Sequence, residues 1–204
     1  MNPLAEPWRL PGAGDTGLRL EALPPRVLHA LAATAPGDEA AAGANGVTGR
    51  ISGPGMRALD AMRREHPILT PWLVGPESRG LWVRRSRQIL ETSQDAPWIS
   101  RLIVDPALRE AVGIAGFHGA PDAEGMVEVG YRVDPARRRQ GYARRSLEIL
   151  LDVAAREPEV RTVRASIAPD NAASLALAMS CGFVQLGEQW DEEDGLELVL
   201  EVSA

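Results

Sequence analysis

Five of the fourteen residues in DPARRRQGYARRSL, Asp134 to Leu147, are arginine, and they stand where an apolar helix begins. The first amides of a helix have no internal partners and sit at the positive end of its dipole. Arginines suit that place poorly on their own, because the dipole favours anions there. Gly141 and the small Ala143 let a ligand approach the backbone closely, and the flanking guanidinium groups offer bidentate donors for phosphate. Together they describe a pyrophosphate site, each charge-assisted bond contributing about 1.5–3 kcal/mol. The alternative reading of the same residues is a solvated basic helix start.

Other candidate chemistry is thinner. GAGDTG, Gly12 to Gly17, matches a dinucleotide fingerprint in its letters, but no strand precedes it and no crossover helix follows. His29, His66, His118 and Cys181 are scattered without metal-ligand spacing, so no metal is expected. His118 ends a strand just before GAPD and is placed to line a site. No Gly-x-Ser-x-Gly elbow supplies a hydrolase nucleophile. All 22 basic residues are arginine, which excludes Schiff-base lysine chemistry. With abundant Ala, Gly and Pro, that usage reads as codon bias in a GC-rich genome.

A chain of 204 residues, 45% hydrophobic and 25% charged, suits one globular domain with a substantial core. Residues 1–17 are rich in Gly and Pro and read as an irregular arm, leaving 18–204 as a single domain. The net charge of −6 argues against nucleic acid as a partner. No run approaches the roughly 18 apolar residues of a membrane helix, so no membrane partner is expected. The N-terminus lacks a basic segment followed by an apolar one, and the lone Cys181 excludes an intramolecular disulfide, so a cytoplasmic location is expected.

The arginine-rich turn must be held by the elements around it. LRLEALPP, Leu18 to Pro25, alternates as a strand, RVLHALAATA follows as a helix, and PGDEAAAGANG is a low-complexity loop. GPGMRALDAMRREHP spaces Met56, Leu59 and Met62 helically before Pro67. LWVRRSRQILET puts Leu81, Trp82, Ser86, Ile89 and Leu90 on one helical face and its arginines on the other. WISRLIVDP and EAVGIAGFHGAPD read as consecutive strands. Met126 to Pro135 is a further strand with Val127, Val129, Tyr131 and Val133 on one face. The helix after the turn carries Ala143, Leu147, Leu150, Leu151 and Ala154 on its apolar stripe and stops before Pro158. VRTVRASIAP is a strand, DNAASLALAMSCG a helix with Asp170 or Asn171 as N-cap, and FVQLGEQW with LELVLEV a hairpin around DEEDG. Strand–helix–strand implies one parallel pair, and the meander before it implies antiparallel pairing.

Arg138-Arg139-Gln140-Gly141-Tyr142-Ala143 fits the [Gln/Arg]-x-x-Gly-x-[Gly/Ala] motif, and the chain resembles the GNAT superfamily of acyl-CoA N-acyltransferases. VGYRVDPARRRQGYA is similar to the family's splayed strand and pyrophosphate loop. APDNAASLALAMSCGF is similar to its next strand end and helix, with Asn171, Ser174 and Gly182-Phe183 at family spacing. The resemblance covers about residues 18–202 and is strongest over 98–190. It is nearest to the branch of ribosomal-protein N-terminal acetyltransferases and aminoglycoside-type enzymes.

The resemblance implies an α/β fold: a mixed, mostly antiparallel sheet with a central splayed parallel strand pair, flanked by helices. It implies an N-acetyltransferase that moves an acetyl group from acetyl-CoA directly to a primary amine, on a small molecule or a protein N-terminus. Tyr131 and Val133 would hold the pantetheine through their backbone, with Arg138, Arg139, Gln140, Gly141, Tyr142 and Ala143 around the pyrophosphate and Asn171 and Ser174 completing the site. Arg137 and Arg139 stay open between the adenosine phosphates and water, while Arg144 and Arg145 begin an exposed face. Many members place a thiolate-protonating tyrosine seven residues after the Asn171 position; here that residue is Ala178, leaving Ser174 or water to assist. Glu128, on the face opposite Val127 and Val129, is the preferred base; a solvent-facing strand glutamate is the alternative. The acids of WDEEDG, Trp190 to Gly195, would attract a cationic amine or merely form a solvated turn. Trp72, Trp82 and Trp98 wall an acceptor pocket or fill the core. Homodimers are common in the family, though no interface is legible. A non-catalytic CoA-binding sensor on the same fold is the competing reading, and an RNA-binding role conflicts with the acidic total.

Overall fold

The computed structural model describes residues 6–14, 17–33, 61–192 and 195–204. The low-complexity loop, Met56, Leu59 and the tip acids Glu193 and Asp194 lie outside the described residues, as do Asp15 and Thr16 of GAGDTG. The strands are β1 (Arg19–Ala22), β2 (Arg101–Asp105), β3 (Glu110–Phe117), β4 (Met126–Val133), β5 (Thr162–Ile167), β6 (Val184–Asp191) and β7 (Gly195–Ser203). They form one seven-stranded sheet in the order β1-β2-β3-β4-β5-β7-β6. Every pairing is antiparallel except β4 with β5. This is the expected mixed sheet, with the helix between β4 and β5 as the crossover that a parallel pair requires.

Both faces of the sheet are covered, which is why Ala111 to Phe117 of β3 are buried without alternation. On one face α1 (Pro25–Ala33), α2 (Pro71–Val74) and α3 (Pro76–Glu91) bury Leu28, Leu73, Trp82 and Ile89 over Leu102, Val104 and Ile114. On the other, α4 (Tyr142–Ala154) buries Leu147, Ile149 and Leu150 against Val127, Val129 and Val163. Each of those side chains contributes about 1.5–3 kcal/mol on burial. α5 (Ala172–Ser180) starts with the Asn171 side chain accepting from Ser174 N, and the chain leaves it through Gly182 at φ 90°. At the β1 edge Trp8 exchanges two backbone hydrogen bonds with Leu20 and lies over the fully buried Arg101, 3.5 Å from ring centroid to guanidinium.

The helix before β2 departs from the sequence expectation. It begins at Pro76 rather than Leu81, one turn after the short α2, and both helices open on proline at the first position. Its buried stripe is Ser78, Trp82, Arg85 and Ile89, while Leu90 is 74% exposed. One arginine of four therefore faces the protein, and the leucine taken for core faces solvent. Among the described residues, no helix is long and apolar enough to cross a membrane.

The packing assigns very different costs to two leucines. Leu147→Ala, at a fully buried position on α4, is expected to destabilise the fold by about 2–5 kcal/mol in urea denaturation, against within about 0.5 kcal/mol for Leu90→Ala.

Candidate active site

The parallel pairing of β4 and β5 is short. It runs from Met126↔Thr162 to Glu128↔Arg164 and stops, although β4 continues to Val133 and β5 to Ile167. Beyond Glu128 the two strands diverge, so the facing backbone edges have no strand partner on that side. The far side of β4 stays paired, Val129 with Phe117 through Val133 with Gly113. Tyr131 and Val133 thus lie on the open segment.

The chain then turns through a 3-10 turn, Pro135–Arg137, whose N-cap Asp134 accepts from Ala136 N at 2.9 Å. Two left-handed residues follow, Arg139 at φ 63° and Gly141 at φ 80°, before α4 starts at Tyr142. No side chain caps that helix, and its first turn contains no acid. The arginines divide the work among themselves. Arg137 Nη2 pairs with Glu110 Oε2 at 2.7 Å, and Arg144 Nη2 donates to Ser180 Oγ at 2.8 Å on α5. Arg145 donates to the Gln140 carbonyl at 3.1 Å and lies over the Tyr142 ring. Arg138 donates weakly to the Val133 carbonyl, and Arg138, Arg139 and Gln140 are exposed around the helix end. Tyr142 itself is buried, its hydroxyl donating to Asp105 Oδ2 at 2.7 Å, so its side chain points into the core and only its amide faces the loop. Burial opposes ionisation of Asp105, yet the bonds from Tyr142 and the amides of Ala107 and Leu108 hold its carboxyl below the usual range.

Asn171 and Ser174 stand at the start of α5. Asn171 Oδ1 is occupied as the cap, while the Tyr131 hydroxyl lies buried beside Ser174 without a hydrogen bond of good geometry. Burial, above all, pushes the Tyr131 phenol up from its ordinary value. Ala178, one further turn along, is buried in the core and offers no proton.

On the opposite face of β4 a cavity of about 480 Å³ opens between α3 and the sheet, walled by Arg84, Arg85, Ser100, His118, Gly130 and Arg132 among others. Glu128 does not line the cavity, but its carboxylate Oε1 lies 3.6 Å from Nδ1 of the lining His118, an ion-pair rather than a hydrogen-bond distance. The backbone fixes the pair, since His118 N donates to the Glu128 carbonyl at 2.8 Å. The imidazole lies over Gly130, where an added Cβ would come within 2.7 Å of Nε2. Arg85 Nη1 and Gln88 Nε2 both donate to the His118 carbonyl, at 2.9 and 2.6 Å, and Gln88 is anchored in turn on Asp95. The tip residues Trp190 to Glu192 do not line this cavity, and neither does Trp82, whose indole donates to the Leu73 carbonyl inside the core. Trp98 packs edge-on against Phe117, whereas Trp72 lies under Arg132 at the cavity rim.

A domain model described as an acetyltransferase (GNAT) domain matches residues 57–184. This chain belongs to the GNAT acetyltransferase family. An uncharacterized N-acetyltransferase of Bacillus subtilis (strain 168), YjdG, is 33% identical over 133 residues, 61% of this chain and 78% of that protein. The fold is shared with RimL, a ribosomal L7/L12 α-N-protein acetyltransferase solved with coenzyme A, at TM-score 0.58, 18% identity and coverage of 97% and 98% of the two chains. It is shared also with MccE, a microcin C7 self-immunity acetyltransferase solved with acetyl-CoA and AMP, at TM-score 0.59, 13% identity and 98% of both chains. The chain is accordingly an acyl-CoA-dependent N-acetyltransferase of the GNAT family.

The loop residues singled out in the sequence lie together, and Glu128 is brought to a histidine 10 residues away in sequence on the neighbouring strand. Arg85 and Arg132 of the cavity wall went unnoticed in the sequence. Arg85 had a signal: it falls three residues after Trp82 and four before Ile89, on the apolar stripe. Two glycines test the backbone reading. Gly141→Ala, at φ 80°, is expected to lower stability in urea by about 1 kcal/mol, whereas Gly80→Ala, inside α3 with nothing near its Cβ, should raise it by about 0.5–1 kcal/mol.

Proposed function

We propose that the chain acetylates a primary amine bound in the cavity between α3 and β4, with acetyl-CoA held along the splayed strands and the start of α4. The observation that carries this reading is the early end of the β4–β5 pairing directly beside an uncapped helix N-terminus. Open strand edges suit an arm that bears amides, and unpartnered helix amides flanked by exposed Arg138 and Arg139 suit a pyrophosphate. Gly141, Tyr142 and Ala143 would contribute backbone only, and Gln140 its exposed side chain. When bound, acetyl-CoA supplies an acetyl thioester, an acyl group already activated for transfer.

The remaining chemistry falls to the protein's own residues. An amine enters as an ammonium ion, and the His118–Glu128 pair takes the proton that must leave before the nitrogen can attack. His118 faces the cavity and Glu128 stands behind it, so the imidazole receives the proton and the carboxylate stabilises the resulting charge. The backbone of the Tyr131–Val133 segment polarises the thioester carbonyl. A C–N bond forms, the C–S bond breaks with its electron pair on sulfur, and the balance is an amide, a thiol and one released proton. The Tyr131 hydroxyl, kept neutral by burial beside Ser174, stands in for the acid that Ala178 cannot provide. The acidic net charge and the lone cysteine support a cytoplasmic enzyme without a nucleic-acid partner.

Measured as thiol release with a saturating amine, Glu128→Gln and His118→Asn should each lower kcat/KM by roughly 10²–10⁴-fold while acetyl-CoA still raises the melting temperature. Gly130→Ala, which removes the room the imidazole occupies, should act in the same direction. Full activity in all three variants would rule out the base assigned here. Tyr131→Phe should reduce kcat most for acetyl transfer to weakly basic amines and leave KM for acetyl-CoA near its starting value; an unaltered kcat would remove the phenol from the mechanism.

A further inference from the structure

The chain is acidic overall, yet the cavity wall is not. Three arginines, Arg84, Arg85 and Arg132, line it against one carboxylate residue, Glu77. Glu77 turns its carboxylate back toward the start of α3, so close to Gly75 that an added Cβ there would meet Oε2 at 2.6 Å. Of the remaining acids near the cavity, Glu128 is engaged with His118 and Asp95 with Gln88 and the Ala120 amide.

Arg85 is only 8% exposed, a position where an apolar side chain would pack at less cost. Its hydrogen bonds go to neutral acceptors, the His118 carbonyl at 2.9 Å and Gln88 Oε1 at 2.6 Å, and its Nε is buried with no partner. Among the described residues no carboxylate reaches it within ion-pair distance. Burial and then the neighbouring Arg84 pull its pKa down to about 10 against the opposing influence of Asp95 and Glu128, which still leaves it charged at neutral pH. Arg132, exposed on the facing strand, is also held by a neutral acceptor. It donates to the Glu77 carbonyl at 2.7 Å, lies 5.4 Å from the Trp72 ring centroid, and likewise has no carboxylate partner among the described residues. Two guanidinium groups fixed by carbonyls and an aromatic ring, with no carboxylate of the described residues in ion-pair contact, hold donors ready for an anion. Because Arg85 is tied to His118 itself, that charge stands at a set distance from the base.

We infer that the acceptor is an amine that also carries a carboxylate, seated by Arg85 and Arg132 while its amino nitrogen meets His118. The inference rests on the transfer reading above and names its substrate class. A cavity of about 480 Å³ accommodates an amino-acid-sized group. The arginines have a second effect on such a substrate: nearby positive charge disfavours the ammonium form and eases loss of its proton.

The test is thiol release from acetyl-CoA with matched acceptors. Aspartate and glutamate are compared with their diamides, in which both carboxylates are carboxamides, and Ser-Asp peptide amides with Ser-Asn amides, the two arms separating free amino acids from protein N-termini. The acids should exceed their neutral partners in kcat/KM by roughly tenfold to a hundredfold, the worth of one charge-assisted pair. In Arg132→Gln and Arg85→Met, scored where acetyl-CoA still gives a thermal shift, that ratio should fall toward one, and in Arg132→Glu it should invert. Neutral or cationic amines turned over as well as the acids, or an unchanged ratio in the variants, would overturn the carboxylate site while leaving acetyl transfer intact. No turnover with any amine would overturn both.

Discussion

The fork in this sheet is set by three residue pairs of parallel ladder. Met126, Val127 and Glu128 bind β4 to β5, and then the sheet forks. A longer ladder would have satisfied more backbone at no cost in side chains, so the fork has to be held open by what surrounds it. β4 keeps its pairing to β3 along its far side and cannot follow β5; β5 keeps its pairing to β7 through Ile167 and cannot follow β4. α4 buries its apolar stripe beneath the fork and starts at its mouth. The consequence is a run of backbone groups at the fork that no strand satisfies and that are open to a partner from outside. A ligand rich in amides and ending in phosphates meets that requirement with one molecule.

The fork also sorts the chemistry by face. Alternation along β4 sends Val127, Val129 and Val133 to the α4 side and Glu128, Gly130 and Arg132 to the α3 side. The first set builds the support under the loop; of the second, Gly130 and Arg132 line the cavity and Glu128 stands behind His118. A one-residue slip in register would exchange them, placing valines at the cavity and a glutamate in the core. The cavity wall and the core therefore constrain the same strand in phase, and at Gly130 an added Cβ would have to displace the His118 imidazole.

How much of this was legible beforehand depends on the range of the interaction. The turn from Asp134 to Ala143 is local: the helix start after Gly141 and the stripe behind it lie within twenty residues and follow from sequence spacing, whereas the Asp134 cap and the left-handed Arg139 and Gly141 are visible only in the structure. The parallel pair and the hairpin follow equally from alternation and turn residues. The helix over Pro76–Glu91 was harder because its stripe is occupied by Ser78 and Arg85 rather than by the apolar residues that periodicity counts. Leu81, Ile89 and Leu90 are spaced to suggest a face, and only the packing against β2 and β3 decides that Arg85 turns inward and Leu90 outward. His118 was recognised as a strand-end residue, but its partnership with Glu128 depends on the β3–β4 register, which no local pattern encodes.

Bulk charge proved the least informative of the sequence quantities, and the reason is physical. A net charge of −6 describes the far field of the molecule, whereas recognition happens within a few ångströms, where geometry sets which charges are compensated. Of the arginines near the loop, Arg137 is neutralised by Glu110 and so contributes little to any anion. Arg85 and Arg132, by contrast, are satisfied in hydrogen bonding chiefly by carbonyls, which orient a guanidinium without cancelling it. The distinction that matters is thus between arginines paired with acids and arginines held by neutral acceptors. On that criterion the acidic chain presents cationic ground at two places only loosely related in sequence, the mouth of the fork and the cavity under α3. They lie on either side of the one strand that runs out of partners.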